Sequence, residues 1–404
     1  ANEYNVENAI IAFFKAGTSE NADEKATFVK AYAFNKSDLS VAGSDETPQV
    51  TEQVTTITEA PKVASTEQLY ALAILNYNSD IVSVVNDDSN DGVLKIGTTS
   101  LAAGTSKFAD LQKKISVTLD QSTNKTNDNF LYKFTGGSST TTRNQFTMTN
   151  APLSSAAGTS STISSAKAYT LVPVTVYDDK AAAEAGDVAT IYVERVVAKV
   201  TLTIGTTNKV SGQTKQIEVT GADGQKTGDI VEVTGWYLNV TNNSTKLVRD
   251  VAGFKTTDGW LAIGTDYKPE RFAGTRGINA SFGVQSEDDY YRIYWAQDCN
   301  YVGTGTIDAT TVESDFTTYH HENGSITPQV PTWNTNLVTD DADNACYCLE
   351  NTMNYDQQIE NRTTGVLIKT KYYTKFSGEQ TASSKNFFIC GTNATKYPEK
   401  QVGE

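Results

Sequence analysis

The sequence predicts an all-β protein with few short helices, and three observations carry that prediction. Apolar residues recur at every second position in several segments, the period of a half-buried strand. Thr, Val and Tyr, which suit a pleated surface, fill those same segments. Helical periodicity is confined to one short stretch. At 404 residues the chain is long enough to bury about three quarters of its unfolded surface, so folding requires neither a disulfide nor a metal.

Taken in order, Ala9 to Phe14 is the longest apolar run. It falls far short of the roughly 20 residues of a membrane-crossing helix. Tyr70, Leu72 and Ile74 alternate with Ala71, Ala73 and Leu75, apolar on both faces, which predicts a central strand. In Ser106–Ile115 the residues Phe108, Leu111 and Ile115 share one helical face, and Ser106 stands where an N-cap would. The Gly/Ser/Thr stretches 136–142 and 154–165 lack apolar area and read as solvated loops.

Asp178–Gly186 interrupts the β pattern, as a domain boundary or as a short joining helix. It divides the chain into sandwich domains 1–186 and 187–404. Beyond it, Arg195–Ile204 reads as a strand whose inward face is Val196, Ala198, Val200, Leu202 and Ile204. Ile191 and Val193 lie on the opposite parity, so a bulge or crossing is expected near Glu194. Ile230–Val240 leads through Asn242-Asn243 back to Leu247 and Val248, a predicted hairpin. Last, Val366, Ile368 and Tyr372 alternate against Lys369 and Lys371.

Composition narrows the function. With 33 basic against 48 acidic residues the formal charge is −15, a poor match for nucleic acid or an anionic membrane surface. The two histidines, His320 and His321, are adjacent, which excludes a three-histidine zinc site. The cysteines are Cys299, Cys346, Cys348 and Cys390. On a strand Cys346 and Cys348 share a face and do not readily bridge each other. A link to Cys299 or Cys390 and buried free thiols both remain open. The first residue is Ala1, and no initiator Met or signal peptide precedes it; a trimmed or processed chain is the expectation.

Motifs for chemistry are sparse. Gly224-Gln-Lys-Thr227 resembles the end of a phosphate-binding loop, but the glycines that shape the cradle are missing; a Gly-rich turn after Ile217–Thr220 is expected. Gly303-Thr-Gly305 lacks a third glycine, and His320-His321-Glu322 does not place two ligands one helical turn apart. Asp87, Ser89 and Asp91 stand at alternate positions before Gly92, as calcium ligands would, yet the twelfth position is Thr98 rather than Glu. Asp340–Asp343 is a second acidic turn. Among the 48 acidic residues no pair stands out as a glycosidase couple. Tyr290–Trp295 is rich in aromatic residues, either a core strand or a sugar-stacking platform.

Three segments together resemble the fimbrillin family, the pilins of type V pili of Bacteroidales, most closely the minor fimbrillin shaft type. They are Tyr192-Val-Glu-Arg-Val-Val-Ala-Lys-Val200, then Ile230–Val240 running into Ser244–Asp250, and Cys346-Tyr-Cys-Leu-Glu-Asn-Thr352 followed by Gly365–Tyr372. The resemblance implies two transthyretin-like β-sandwich domains, export to the outer membrane, proteolytic removal of a first strand, and filling of the resulting groove by a strand of a neighbouring copy. In the family, further strands ending in the donor segment follow the region that matches Asn386–Ile389, whereas this chain ends at Glu404, so the position of its donor strand is open.

On that reading the chain is a structural subunit of a cell-surface fimbria, extracellular, not an enzyme, and without a cofactor. Its partners are copies of itself, accessory tip and anchor pilins, and host or bacterial surface receptors. Ile10, Ile11, Phe13 and Phe14 are the expected apolar edge of the open groove. A donor with about four apolar side chains contributes roughly 6–12 kcal/mol gross. Two other readings stand beside it: a tip or accessory adhesin of the same fibre, and a surface carbohydrate-binding β-sandwich protein.

Overall fold

The computed structural model describes residues 6–114 and 170–248 apart from gaps of one to three residues. It also describes 117–118, 132–135, 142–150, 345–349, 364–376, 379–382 and several shorter pieces. The fold is all-β: antiparallel sheets dominate and the helices are short. The chain divides into two compact units. One is built on Ala1–Ala198 with Asn242–Phe316 and Leu349–Thr363, the other on Lys199–Thr241, Thr317–Cys348 and Thr364–Glu404.

The first unit contains β1 (Asn8–Gly17), α1 (Ala22–Lys25), β2 (Thr27–Asn35), β3 (Glu67–Leu75), β4 (Val82–Asp87), β5 (Asn90–Ile96), α2 (Phe108–Lys114), β6 (Met148–Asn150), β7 (Val172–Val174), α3 (Lys180–Ala185) and β8 (Val193–Arg195). Its main sheet runs β8-β6-β3-β1-β2, with β7 also paired to β3. As the alternation of Tyr70–Leu75 predicts, β3 is central, with Leu69 to Ile74 all buried.

β1 is central as well. It pairs antiparallel with β2 on one side and with β3 on the other. The expectation that Ile10, Ile11, Phe13 and Phe14 border an open groove is therefore corrected. An apolar run on both faces needs cover on both faces, and β1 has it. Ile10 and Phe14 are wholly buried, and the Phe14 ring meets Phe28 at 5.7 Å and Phe108 at 5.2 Å, both edge-on. On the opposite face Phe13 packs with Leu69, Ala71 and Val174, against half-buried Ile11 and Tyr32.

α2 brings Phe108 onto this core and lies where the spacing of Phe108 and Leu111 predicts a helix. Ser106 does not cap it; its hydroxyl accepts from the Ala102 N–H at 2.9 Å. α3 occupies the predicted interruption and is capped by Asp179, whose side chain accepts from the Ala182 N–H. The first unit continues past α3 as far as Ala198.

On the far side of β3 the sheet is pieced together. β6 reaches only Leu75 and Ile74, and β7 only Ala71, Tyr70 and Leu69. Between them the buried Asn150 side chain takes the place of a strand: its Oδ1 accepts from the Ala73 N–H at 2.8 Å and its Nδ2 donates to the Ala71 carbonyl at 2.9 Å. A side chain thus satisfies buried backbone groups that would otherwise be unpaired.

The second unit contains β9 (Ala198–Thr201), β10 (Gln216–Thr220), β11 (Lys226–Asn239), β12 (Ala345–Cys348), β13 (Gly365–Phe376) and β14 (Glu379–Ala382). Its principal sheet runs β10-β11-β13-β14, and β9 pairs with β12. The turn between β10 and β11 closes through Gly221 and Gly224, whose φ of +77° favours glycine. This is the Gly-rich turn expected instead of a phosphate cradle. Lys226 there points across to Glu218, 2.7 Å away.

Two strand expectations are corrected. Arg195–Ile204 is not one strand: a bend at Val196–Val197 separates β8 from β9, each in its own sheet. The hairpin expected from Ile230 to Val248 does not form, because β11 pairs with β10 and β13 instead. β11 ends at Asn239, and Val240 after it, whose φ of +56° is unusual for a β-branched residue, turns the chain away. Thr364 Oγ1 donates to the Val240 carbonyl at 2.6 Å, holding that turn.

Candidate functional site

The site begins with Trp236. On β11 it is fully buried in a cluster with Val233, Leu238, Leu337, Cys346 and Cys348, which half-buried Val200, Leu202, Ile204 and Ile217 extend. Cys346 and Cys348 share this face, as their spacing requires, and both are free thiols. Burial, with Cys346 beside it, pushes the Cys348 thiol up to about 11.

β13 continues the same face outward. It pairs antiparallel with β11 from Gly365 opposite Asn239 to Tyr373 opposite Ile230, with a bulge between Val233 and Gly235. Ile368 is the register partner of Trp236, and Val366 that of Leu238. Partners in an antiparallel pair project to one face, yet Val366 and Ile368 are 44% and 47% exposed. The sequence pattern marked these two as an inward face; they are instead the uncovered margin of the core.

The outer side of β13 takes β14 only along Tyr373–Phe376. Among the described residues no strand flanks Gly365–Ile368 on that side. The Lys369 carbonyl accepts from Thr234 Oγ1 at 3.1 Å, so it faces β11. Alternate residues of an antiparallel strand turn their backbone groups to opposite sides. Those of Val366 and Ile368 therefore face outward. An open row of backbone groups beside two exposed apolar side chains is the feature that accepts an added strand.

Two tyrosines fix this strand. Tyr372 donates its hydroxyl to Asp229, and Tyr373 donates to Glu232 Oε2 at 2.7 Å. The Glu232 hydrogen bond raises the Tyr373 pKa. Because neighbouring residues face opposite ways, β13 is held to β11 from both sides. Exposed Lys369 and Lys371 stand next along the strand. Lysines on an edge discourage indiscriminate pairing and here favour an acidic partner.

Of the other sequence-predicted residues, Val200 and Leu202 reach the Trp236 cluster, whereas Val196, Ala198, Asp87 and Asp91 do not. Val196 is buried in the first unit's sheet, where its N–H donates to the Thr147 carbonyl. Val200 and Leu202 pack half-buried against the Trp236 cluster. Ala198 shares the face of Val200 but is exposed at the first position of β9, so it is not part of the Trp236 cluster.

Asp87 and Asp91 lie at the β4–β5 hairpin turn, opposite Asn90 and Asn86 respectively. Asp91 is held by Lys30 at 2.6 Å, and the Asn86 side chain accepts from the Gly92 N–H. That is the geometry of a closed turn, and among the described residues no group of three metal-ligating side chains occurs. Cys299, Cys390, His320, His321, Gly303–Gly305, Asp340–Asp343 and Trp295 lie outside the described residues.

No protein-family model matches this chain, and no curated protein matches it.

Proposed function

We propose that the chain is a structural subunit of a cell-surface fibre of the fimbrillin kind, joined to neighbouring copies by strand addition. The observation that carries this reading is the outer edge of β13, which no described strand flanks along Gly365–Ile368, with Val366 and Ile368 exposed on it. The sequence segments that resemble the fimbrillins support it, and so does the strand-dominated fold. Such a role uses shape and backbone pairing and needs no catalytic group. The fibre would stand outside the cell, anchored at the outer membrane, with accessory pilins as further partners.

A second copy of the chain fits the edge through an extended acidic segment. Each copy is rich in acidic residues, 48 of 404, and exposed Lys371 stands along the edge. That local attraction is set against the repulsion between two copies of formal charge −15. Such a segment, with apolar residues at alternate positions, would cover Val366 and Ile368 and present its acidic side to Lys371.

Magnitudes set what this edge can do. Each apolar side chain is already half covered, so completing both contributes roughly 2–3 kcal/mol. Backbone pairing at Val366, Ile368 and Thr370 adds about 1 kcal/mol per bond, for up to about six bonds. Association costs on the order of 4–15 kcal/mol. Linkage through this edge alone is thus reversible and depends on concentration.

Electron microscopy of the protein taken from its native surface tests the reading. Filaments with a regular axial repeat, lost in the Val366→Asp/Ile368→Asp double variant, are the expected result. A particle that stays single at every concentration overturns it, and a particle found only at filament ends assigns the chain to the tip instead.

A further inference from the structure

We propose that Thr170–Val174 is a latch on the outer edge of β3, one that opens locally, with the rest of the sheet closed, when the Asp23 carboxyl group ionises. The inference rests on the first unit alone and stands whether or not copies associate.

The latch is weak as a strand. β7 has three residues, and Pro173 in its middle has no N–H to offer the ladder. It ends in exposed Thr175 and Val176. By contrast β1 meets β3 from Ala9 to Gly17 without interruption. Segments with short ladders and exposed flanks are the ones that open below the global unfolding energy.

Side chains supply what the ladder lacks. Gln68 Nε2 donates to the Val174 carbonyl at 2.7 Å, and Asn150 Nδ2 donates to the Thr170 carbonyl at 2.8 Å. Gln112 Nε2 donates to Thr170 Oγ1 at 3.3 Å. Asp23 is the principal tie: its two oxygens accept from the Thr170 N–H at 2.6 Å and the Leu171 N–H at 3.1 Å. It reaches across some 147 positions of sequence to do so, from a helix of only four residues.

That carboxyl group is 3% exposed, and among the described residues no cation stands beside it. Glu24 and Lys25 on α1, and Lys107 and Asp110 at α2, are all exposed. On β1, Lys15 is engaged by Glu67. The groups acting on Asp23 are the amides of Thr170 and Leu171 and the side chains of Thr170 and Gln112. Burial raises its pKa from 3.8 to about 6, and the hydrogen bonds offset only part of that.

The sign follows from linkage. A carboxyl group whose folded pKa is raised contributes stability that is fully present below its unfolded value of 3.8 and is lost as pH rises through about 6. Opening the latch returns Asp23 to water and to the unfolded value. The opening equilibrium therefore grows about tenfold from pH 5 to pH 7, and little beyond pH 8.

Amide hydrogen exchange of the full chain tests this, once the intrinsic rise with hydroxide is divided out. Between pH 5 and pH 7, protection of the Thr170, Leu171, Val172 and Val174 amides is expected to fall about tenfold, while β1 amides keep theirs. Asp23→Asn should remove the pH dependence. Gln112→Leu retains the acid but removes a donor to it, so the fall should move to higher pH. Protection at 170–174 that does not change with pH, a change that survives Asp23→Asn, an unshifted midpoint in Gln112→Leu, or β1 losing protection in step would each overturn the latch.

Discussion

Ile368 sits directly across the β11–β13 ladder from Trp236, and the two differ completely in exposure: the indole is fully buried, the isoleucine nearly half uncovered. The core face of the sheet thus stops between two adjacent strands. Truncating each residue should separate the two roles. Trp236→Ala is expected to cost about 3–5 kcal/mol, since it empties a closed cluster. Ile368→Asp should shift unfolding by no more than about 1 kcal/mol, as a surface change does. It should nevertheless weaken self-association in sedimentation runs. An Ile368→Asp protein as unstable as Trp236→Ala would mean that the edge is covered after all.

Asn150 does the work of a missing strand, so its loss should be costly for its size. Replacement by Ala removes the acceptor for the Ala73 N–H and the donors for the Ala71 and Thr170 carbonyls, all buried. Each stranded group costs about 1–3 kcal/mol. Water entering the space will satisfy some of them, so roughly 3 kcal/mol is expected in denaturant unfolding. A loss below about 1 kcal/mol would show that β3 does not depend on this side chain.

Much of the strand content was legible, and the failures share a cause. Alternation at Tyr70–Leu75 and the helical spacing of Phe108 and Leu111 report local geometry, which the chain keeps. Which strand lies beside which is decided at long range. Val366 and Ile368 carry the pattern of an inward face, but their exposure depends on a partner, Trp236, some 130 positions earlier and on where the cover over that face ends. The run Ala9–Phe14 suggests an apolar groove edge, yet apolarity on both faces is itself the mark of a central strand. The Asn242-Asn243 turn signal was real in composition, yet Val240 turned the chain before a hairpin closed. Asn150 gave no signal at all, because a side chain that replaces a strand looks like any polar residue in a sequence.

The position of β1, bonded to a strand on each side, decides what a charge placed on it does. Ile11→Asp and Phe13→Asp place carboxylates on a strand bonded on both sides, one of them at a site 6% exposed. Burying an unpaired charge is among the few single changes that unfold a domain. Both variants are therefore expected to lose the first unit's cooperative transition and not merely its capacity to associate. Circular dichroism melts read this directly. Native-like melting with association alone abolished would instead place these residues at an open edge.

The thiols offer a probe of the second unit alone. Cys346 and Cys348 are buried in the Trp236 cluster, and the Cys348 pKa stands at about 11 against an ordinary 9.0. Only the thiolate reacts with alkylating agents. At pH 8 that shift lowers the reactive fraction of Cys348 about a hundredfold before burial limits access further. Peptide mapping after a brief iodoacetamide pulse should find both residues unlabelled in the folded protein. Labelling should rise in step with denaturant as β12 leaves the cluster. Trp236→Ala, by opening the packing around them, should bring that labelling to lower denaturant. Rapid labelling of the folded wild-type protein would contradict the closed cluster on which the edge at Ile368 depends.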